Sequence, residues 1–326
     1  LKIQTILIKI FFVNILFFSW QCQKYEPISL PLTEYATGIT LPLRGVFFLN
    51  EREGYAVGGQ FWQNGVILQT RDGGKNWATQ RPNAQGIKAL RIDTEGYLWA
   101  IGNDAHTFRK SSTDSTLHPW TEARWQVMND IAMRRGGNGL WVGGQAFYRG
   151  WVWRVTEGWR VVQQDTFPQE ITAACWSDDS TAHLAAYSTL FRSVNGGKTW
   201  QQHPSLDDFF QAVCFPTPSI GYAVGWHGTI LKTTNGGQKW EKLRNGDALT
   251  VKDRVMRAVA FVDAQKGFIV GDEGLLLSTF DGGETWKKAS DTPQHIHFYS
   301  LSIQATPRNR VWITASEGKI FSFEIP

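Results

Sequence analysis

The sequence predicts an all-β fold: a seven-bladed β-propeller of four-stranded antiparallel blades, its ring closed by an N-terminal strand that completes the last blade. Three observations carry that expectation. Four near-identical turns, TRDGGKNW, SVNGGKTW, TTNGGQKW and TFDGGETW, end at Trp77, Trp200, Trp240 and Trp286. Short apolar runs recur in a fixed order ahead of each turn. Finally, 32 Gly and 16 Trp in 326 residues suit many tight turns and ring packing between sheets better than long amphipathic helices.

The repeat can be followed strand by strand. First strands read RGVFF (44–48), KALRI (88–92), NDIAM (129–133), TAACW (172–176), QAVCF (211–215), RAVAF (257–261) and YSLSI (299–303). Second strands follow in GYAVG (54–58 and 221–225), GYLWAIG (96–102), GLWVG (139–143) and GFIVG (267–271). Third strands read GVILQT (65–70), STLFRS (188–193), GTILKT (228–233) and GLLLST (274–279). These lengths, β-branched contents and glycine boundaries are those of strands. The gap from Trp77 to Trp200 leaves room for two degenerate repeats, ending near Trp120 and Trp159. After the seventh first strand the chain stops short of a fourth strand, which residues 27–40 can supply. Closing a ring with both chain ends also removes exposed sheet edges.

Each residue of the repeated turn, an Asp box, has a structural task. Asp72, Asn195, Asn235 and Asp281 can accept hydrogen bonds from turn amides, and the glycine pairs supply left-handed backbone. Trp77, Trp200, Trp240 and Trp286 can cover the hairpin and fill the gap between blades. Two of the four box positions carry Asn rather than Asp, and the turns are spread around the ring, so they cannot converge on one substrate.

The leader differs from the rest. Residues 1–22 contain Lys2 and Lys9, an apolar stretch from Ile10 to Trp20 and no acid. This reads as an export signal, placing residues 23–326, a single propeller domain, in the periplasm or cell envelope. Cys22 stands where a lipoprotein carries its lipidated cysteine, although Ser19-Trp20-Gln21 departs from the small residue such a site prefers. Lipidation, a plain signal peptide and an uncleaved anchor are all compatible with this segment, and lipid or anchor would give membrane association. Cys175 and Cys214 occupy equivalent positions in neighbouring repeats and are expected to be free thiols. Beyond the leader, 31 basic residues face 29 acidic ones with no run of basic residues above two, which argues against nucleic acid as a partner.

The Asp boxes resemble those of bacterial neuraminidases. The longer unit GYAVGxxGxILxTxDGGxxW is more similar to the photosystem II stability and assembly factor family of exported or lumenal seven-bladed propellers. The resemblance runs from Arg44 to Pro326, is strongest at 44–80 and 209–289, and weakens at 103–163. It implies the fold and a binding role rather than photosynthesis itself.

No catalytic centre emerges from the motifs. A sialidase needs an arginine triad and a Tyr–Glu pair, but Phe108-Arg109-Lys110 and Phe191-Arg192-Ser193 lie in repeat strands. A glycosidase needs two facing carboxylates, and the loop acids Asp104, Asp272, Glu273 and Glu317 show no such pairing. His295 and His297 lack a third metal ligand, and no P-loop, nucleophile elbow or dinucleotide fingerprint occurs. No cofactor or metal is expected.

The informative pattern is the first-strand column Arg44, Lys88, Asn129, Thr172, Gln211, Arg257 and Tyr299. In a propeller this innermost strand lines the axis, so these residues are expected to ring one mouth of the channel. The loops between second and third strands open on the same face. They carry Phe61, Trp62, Phe147, Tyr148, Arg149, Trp226 and His227, and aromatics and Arg are the side chains enriched at interaction hot spots. The leading expectation is a non-enzymatic scaffold that binds a protein or peptide partner, such as an assembly or stability factor. The rival is a glycan-binding or glycosidase-like propeller, since Trp and Tyr also stack on sugars.

Overall fold

The computed structural model describes residues 27–326 apart from 61, 82–84, 94, 106, 112–113, 115–117, 121–125, 135–137, 146–148, 157–159, 205, 245–253 and 305–308. The expected signal segment and Cys22 therefore lie outside the described residues, as do Phe61 and Tyr148. Among the described residues no helix is long and apolar enough to cross a membrane.

Seven sheets form in chain order, with innermost strands Leu43–Phe48, Ile87–Ile92, Met128–Met133, Ile171–Trp176, Phe210–Cys214, Met256–Phe261 and Phe298–Gln304. Within each blade the innermost strand and the strands that follow it in sequence form an antiparallel meander. Each innermost strand neighbours the next, and the seventh neighbours the first, so the ring closes. Seven apolar clusters fill the seven seams, one between each pair of adjacent blades. Second strands such as Gly54–Gly59 and Gly267–Gly271 are buried along their whole length, because both of their faces meet a neighbouring blade.

The closing strand is Thr33–Tyr35, antiparallel to Ile320–Glu324 of blade 7, as the sequence predicts. Tyr35 also packs 5.0 Å from the ring of Trp312. A second strand, Pro27–Ile28, was not expected. It pairs in parallel with Lys287–Ala289 and gives blade 6 a fifth strand. Leu30, between the two, is buried in the seam of blades 6 and 7. The N-terminal segment therefore ties two blades together rather than one.

The Asp boxes fasten the outer hairpins. Thr279 Oγ1 donates to Asp281 Oδ1 at 2.7 Å and accepts from the Gly283 amide at 2.8 Å, while Asp281 Oδ1 accepts from the Thr285 amide at 3.0 Å. The same three bonds recur at Thr70, Ser193 and Thr233. These bonds hold the Asp281 carboxyl below its ordinary range although burial opposes them. The second glycine of each box abuts the preceding blade. At Gly283, with φ of +80°, a Cβ would lie 2.8 Å from Tyr222 Cε1, so both backbone angle and space demand glycine.

A three-ring stack accompanies three of the boxes. Phe48, Phe215 and Phe261, near the ends of their first strands, stack on Trp312, His183 and Tyr222 of the preceding blade at 3.9, 3.9 and 4.1 Å. Each also meets its own box Trp edge-on, at 6.0, 5.8 and 6.0 Å for Trp77, Trp240 and Trp286. In the degenerate second repeat the fourth strand is His118–Trp120, so Trp120 lies in that strand rather than before it. Blade 3 instead carries a long fourth strand, Arg160–Phe167. Cys175 and Cys214 are free and half-buried along the channel wall.

Candidate functional site: the channel mouth

Every innermost strand is bulged at its first residues. Register shifts fall at Leu43/Gly45, Ile87/Ala89, Met128/Asp130, Ile171/Ala173, Phe210/Ala212, Met256/Ala258 and Phe298/Ser300. The residue skipped in each case is Arg44, Lys88, Asn129, Thr172, Gln211, Arg257 or Tyr299. A bulge re-aims the extra side chain out of the sheet. All seven are half-buried and line one central cavity of about 230 Å³.

A second backbone feature repeats seven times. The residue two before each bulged position accepts a hydrogen bond through its carbonyl from the start of the loop between second and third strands. The donors are Gly59, Asn103, Gly144, Tyr187, Trp226, Asp272 and Ser316. The acceptors are Pro42, Gly86, Val127, Glu170, Phe209, Val255 and His297. These bonds bring the loops and the bulged column to one face. Tyr187, Phe209, Trp226 and Glu170 thereby join the mouth.

Charge and aromatic character divide the mouth. Arg44 Cζ lies 4.8 Å and Arg257 Cζ 5.2 Å from the Tyr299 ring centroid, within cation–π range. Arg257 also makes a two-point contact with Asp272, Nε to Oδ1 at 2.5 Å and Nη2 to Oδ2 at 2.9 Å. His297 Nδ1 reaches the same carboxylate at 3.1 Å. Lys88 Nζ donates to Asn129 Oδ1 at 2.7 Å, and Asn129 Nδ2 donates to Glu170 Oε1 at 2.9 Å. Burial pulls the Lys88 ammonium down to about 8, with Glu170 opposing and Arg44 adding to the fall. Burial likewise lowers Arg44, with Tyr299 opposing and Arg257 adding. Among the described residues Arg44 has no carboxylate partner, so its guanidinium is available to an incoming anion.

Of the sequence-predicted site residues, Arg44, Lys88, Gln211, Arg257, Tyr299 and Trp226 come together here. His227 folds back instead, its Nδ1 3.4 Å from Asp208 Oδ1 and its ring against Phe209. Trp62 is exposed on the blade 1 loop with φ of +63° and does not line the cavity. Arg149 lines a separate recess with Gln126, Trp151 and Asp165 on blade 3. Sequence reasoning missed Glu170, Tyr187 and Phe209. The blade 4 loop holding Tyr187 has no glycine marker, unlike the other six, but counting back from Leu190 along STLFRS would have found it. Glu170 and Phe209 stand two residues before Thr172 and Gln211, a position whose role only the bulge reveals.

The glycosidase reading requires two carboxylates across the mouth. Among the described lining residues Glu170 is the one carboxylate, and it is engaged by Asn129.

Fold and site together define a seven-bladed Asp-box propeller with a cationic, aromatic-rimmed channel mouth. A family model described as photosynthesis system II assembly factor YCF48 matches residues 245–321. Over these residues the chain is similar to the photosystem II assembly factor family. Among curated proteins, the photosystem II assembly lipoprotein Ycf48 of Trichormus variabilis is 30% identical over 193 residues, and that of Nostoc sp. is 29% identical over 193 residues. Each match covers 52% of this chain and 52% of the relative, so the chain spans about half the length of the curated relatives it matches. A solved structure titled YCF48 bound to D1 peptide superposes with a TM-score of 0.70 at 15% identity, covering 93% of this chain and 98% of that one. The WD40 β-propeller domain of Doa1 superposes with a TM-score of 0.69 at 10% identity, covering 90% and 97%. At these identities the solved structures speak for the fold alone.

Proposed function

We propose that this chain is an exported, non-enzymatic propeller that binds an extended segment of a protein partner at its channel mouth, as an assembly or stability factor for an envelope complex. The observation that carries the reading is the convergence of seven bulged side chains on one cavity, with Arg44 lacking a carboxylate partner among the described residues. Seven independent bulges aimed at one point serve recognition better than stability, because each interrupts a sheet ladder. A cavity of about 230 Å³ admits a few side chains of an extended segment rather than a folded body. One solved relative is titled as bound to a D1 peptide, and the curated relatives are named as photosystem II assembly proteins, which supports a peptide partner here. The glycosidase alternative lacks, among the described lining residues, the carboxylate pair it needs.

Residues 1–22 act in this reading as an export signal, with Cys22 as a lipid anchor ahead of a propeller domain at 23–326. Relatives named as lipoproteins support the anchor. The experiment is affinity capture of the tagged full-length protein from its own envelope, with partners identified by mass spectrometry. The combined variant Arg44→Glu, Arg257→Glu and Trp226→Ala is expected to lose them while still folding, with a single cooperative thermal transition at a lowered midpoint. Undiminished recovery by that variant would sink the reading.

A further inference from the structure

Asp208 organises the aromatic side of the mouth. It is 3% exposed, and its carboxylate is satisfied almost wholly by backbone. Oδ1 accepts from the amides of Phe209 at 2.6 Å and His227 at 3.1 Å, and Oδ2 accepts from the Thr229 amide at 3.1 Å. Its carbonyl accepts from the Ser188 amide at 2.9 Å. Gly225 leaves room for this arrangement, since a Cβ there would lie 2.5 Å from Asp208 Cγ. One residue therefore fixes three chain segments, and each carries a ring next to the anchored amide: Tyr187, Phe209 and Trp226.

Those rings touch one another. Tyr187 meets Phe209 edge-on at 3.7 Å, and Phe209 lies 5.3 Å from Trp226 with planes 36° apart. They remain half-buried and open to the same cavity as Arg44. Blades 4 and 5 stand opposite blade 1 in a ring of seven, so the rings face Arg44 across the mouth. The charges around the mouth are uneven. Lys88 is offset by Glu170 and Arg257 by Asp272, whereas Arg44 has no carboxylate among the described residues.

Resting on the peptide-binding reading above, we infer that Tyr187, Phe209 and Trp226 form an apolar subsite for one aromatic or long aliphatic side chain of the bound segment. Arg44 receives a carboxylate of the same segment on the opposite side. Asp208 is the positioning residue, acting through the amides it holds. The ligand class is thus an extended peptide bearing an acidic group and, a few residues away, a large apolar side chain. Aromatic walls fixed by a buried carboxylate bind without the ordering cost a mobile loop would carry.

The test uses a phage library of random peptides panned on the full-length protein and its variants. The wild type is expected to enrich peptides that combine Asp or Glu with Phe, Trp or Leu at one preferred spacing. Trp226→Ala and Phe209→Ala should erase the apolar preference and keep the acidic one, and Trp226→Phe should restore it. Asp208→Asn, which keeps an acceptor oxygen, should weaken the apolar preference less than Asp208→Ala. For the best peptide, changing its apolar residue to Ala should cost the wild type about tenfold in affinity and cost Trp226→Ala nearly nothing more. Enrichment of acidic peptides without any apolar preference, or an equal penalty in both proteins, would overturn the subsite while leaving the peptide reading intact. Failure to enrich any peptide would overturn both.

Discussion

The Arg44 guanidinium rests 4.8 Å from the Tyr299 ring centroid, across the seam where blade 7 meets blade 1. Arg257 approaches the same ring at 5.2 Å. One ring thus accommodates two cations at the point where the propeller closes, and leaves Arg44 positioned without neutralising it. Tyr299→Phe is expected to preserve both stability and peptide binding, because the ring face is retained. Tyr299→Leu should cost about 1–2 kcal/mol in denaturant unfolding, the combined worth of two partly desolvated cation–π contacts. Equal effects of the two substitutions would show that the ring face plays no part.

The Lys88 ammonium gives the mouth a pH dependence. Its pKa in the fold, about 8, lies below the 10.5 of an exposed lysine. Between those values the unfolded chain binds more protons than the folded one, so the Lys88 contribution to stability rises with pH across that window. Measured as wild type against Lys88→Met, the stability difference should shift toward the wild type from pH 8 to pH 10.5, by up to about 3 kcal/mol. Affinity for an acidic peptide should move the other way, weakening as pH climbs through about 8. A flat difference across the window would mean Lys88 keeps its charge.

The Asp boxes should answer in stability and not in binding. Thr279→Val removes a hydroxyl that donates to Asp281 and accepts from Gly283, and is expected to cost about 1–3 kcal/mol. Gly283→Ala meets both φ of +80° and the Tyr222 ring, and should cost at least as much. Urea unfolding and peptide titration on the same samples check both halves. A box variant that lost binding at unchanged stability would return these turns to the list of candidate sites.

Burial raises both channel thiols, Cys214 to about 12 and Cys175 well above its ordinary range. Neither is therefore a ready nucleophile near neutral pH. Iodoacetamide at pH 8 should leave Cys175 and Cys214 of the folded protein unmodified under conditions that label both in denaturant. Peptide mass mapping distinguishes them, and rapid labelling in the native state would contradict their burial.

The fold could be read from sequence because its signals are local and repeated. Thr279, Asp281, Gly283 and Trp286 lie within one hairpin, and the same spacing returns three times. Ring closure by Thr33–Tyr35 followed from counting a missing strand. The parallel pairing of Pro27–Ile28 with blade 6 had no local signature, since two residues cannot show a period. The bulged column from Arg44 to Tyr299 was legible as an alignment, although the bulge that aims it was not. Loop residues were harder to judge. Trp226 and His227 are adjacent in one loop, yet only Trp226 lines the mouth, because Asp208 captures His227. That buried carboxylate is distant in sequence from the loop it fixes, and nothing in its neighbours marks it. Arg149 shows the same difficulty: it follows an aromatic loop but begins a long strand of blade 3 that carries it into another recess.

The central claim is that Arg44 and its neighbours bind a peptide segment at this mouth. Isothermal titration of the full-length protein with a display-selected acidic peptide, comparing wild type with Arg44→Glu, tests it most directly. Saturable one-to-one binding is expected, weakened about tenfold or more by Arg44→Glu in a protein that still unfolds in one cooperative transition. Equal affinity of the two proteins for that peptide would contradict it.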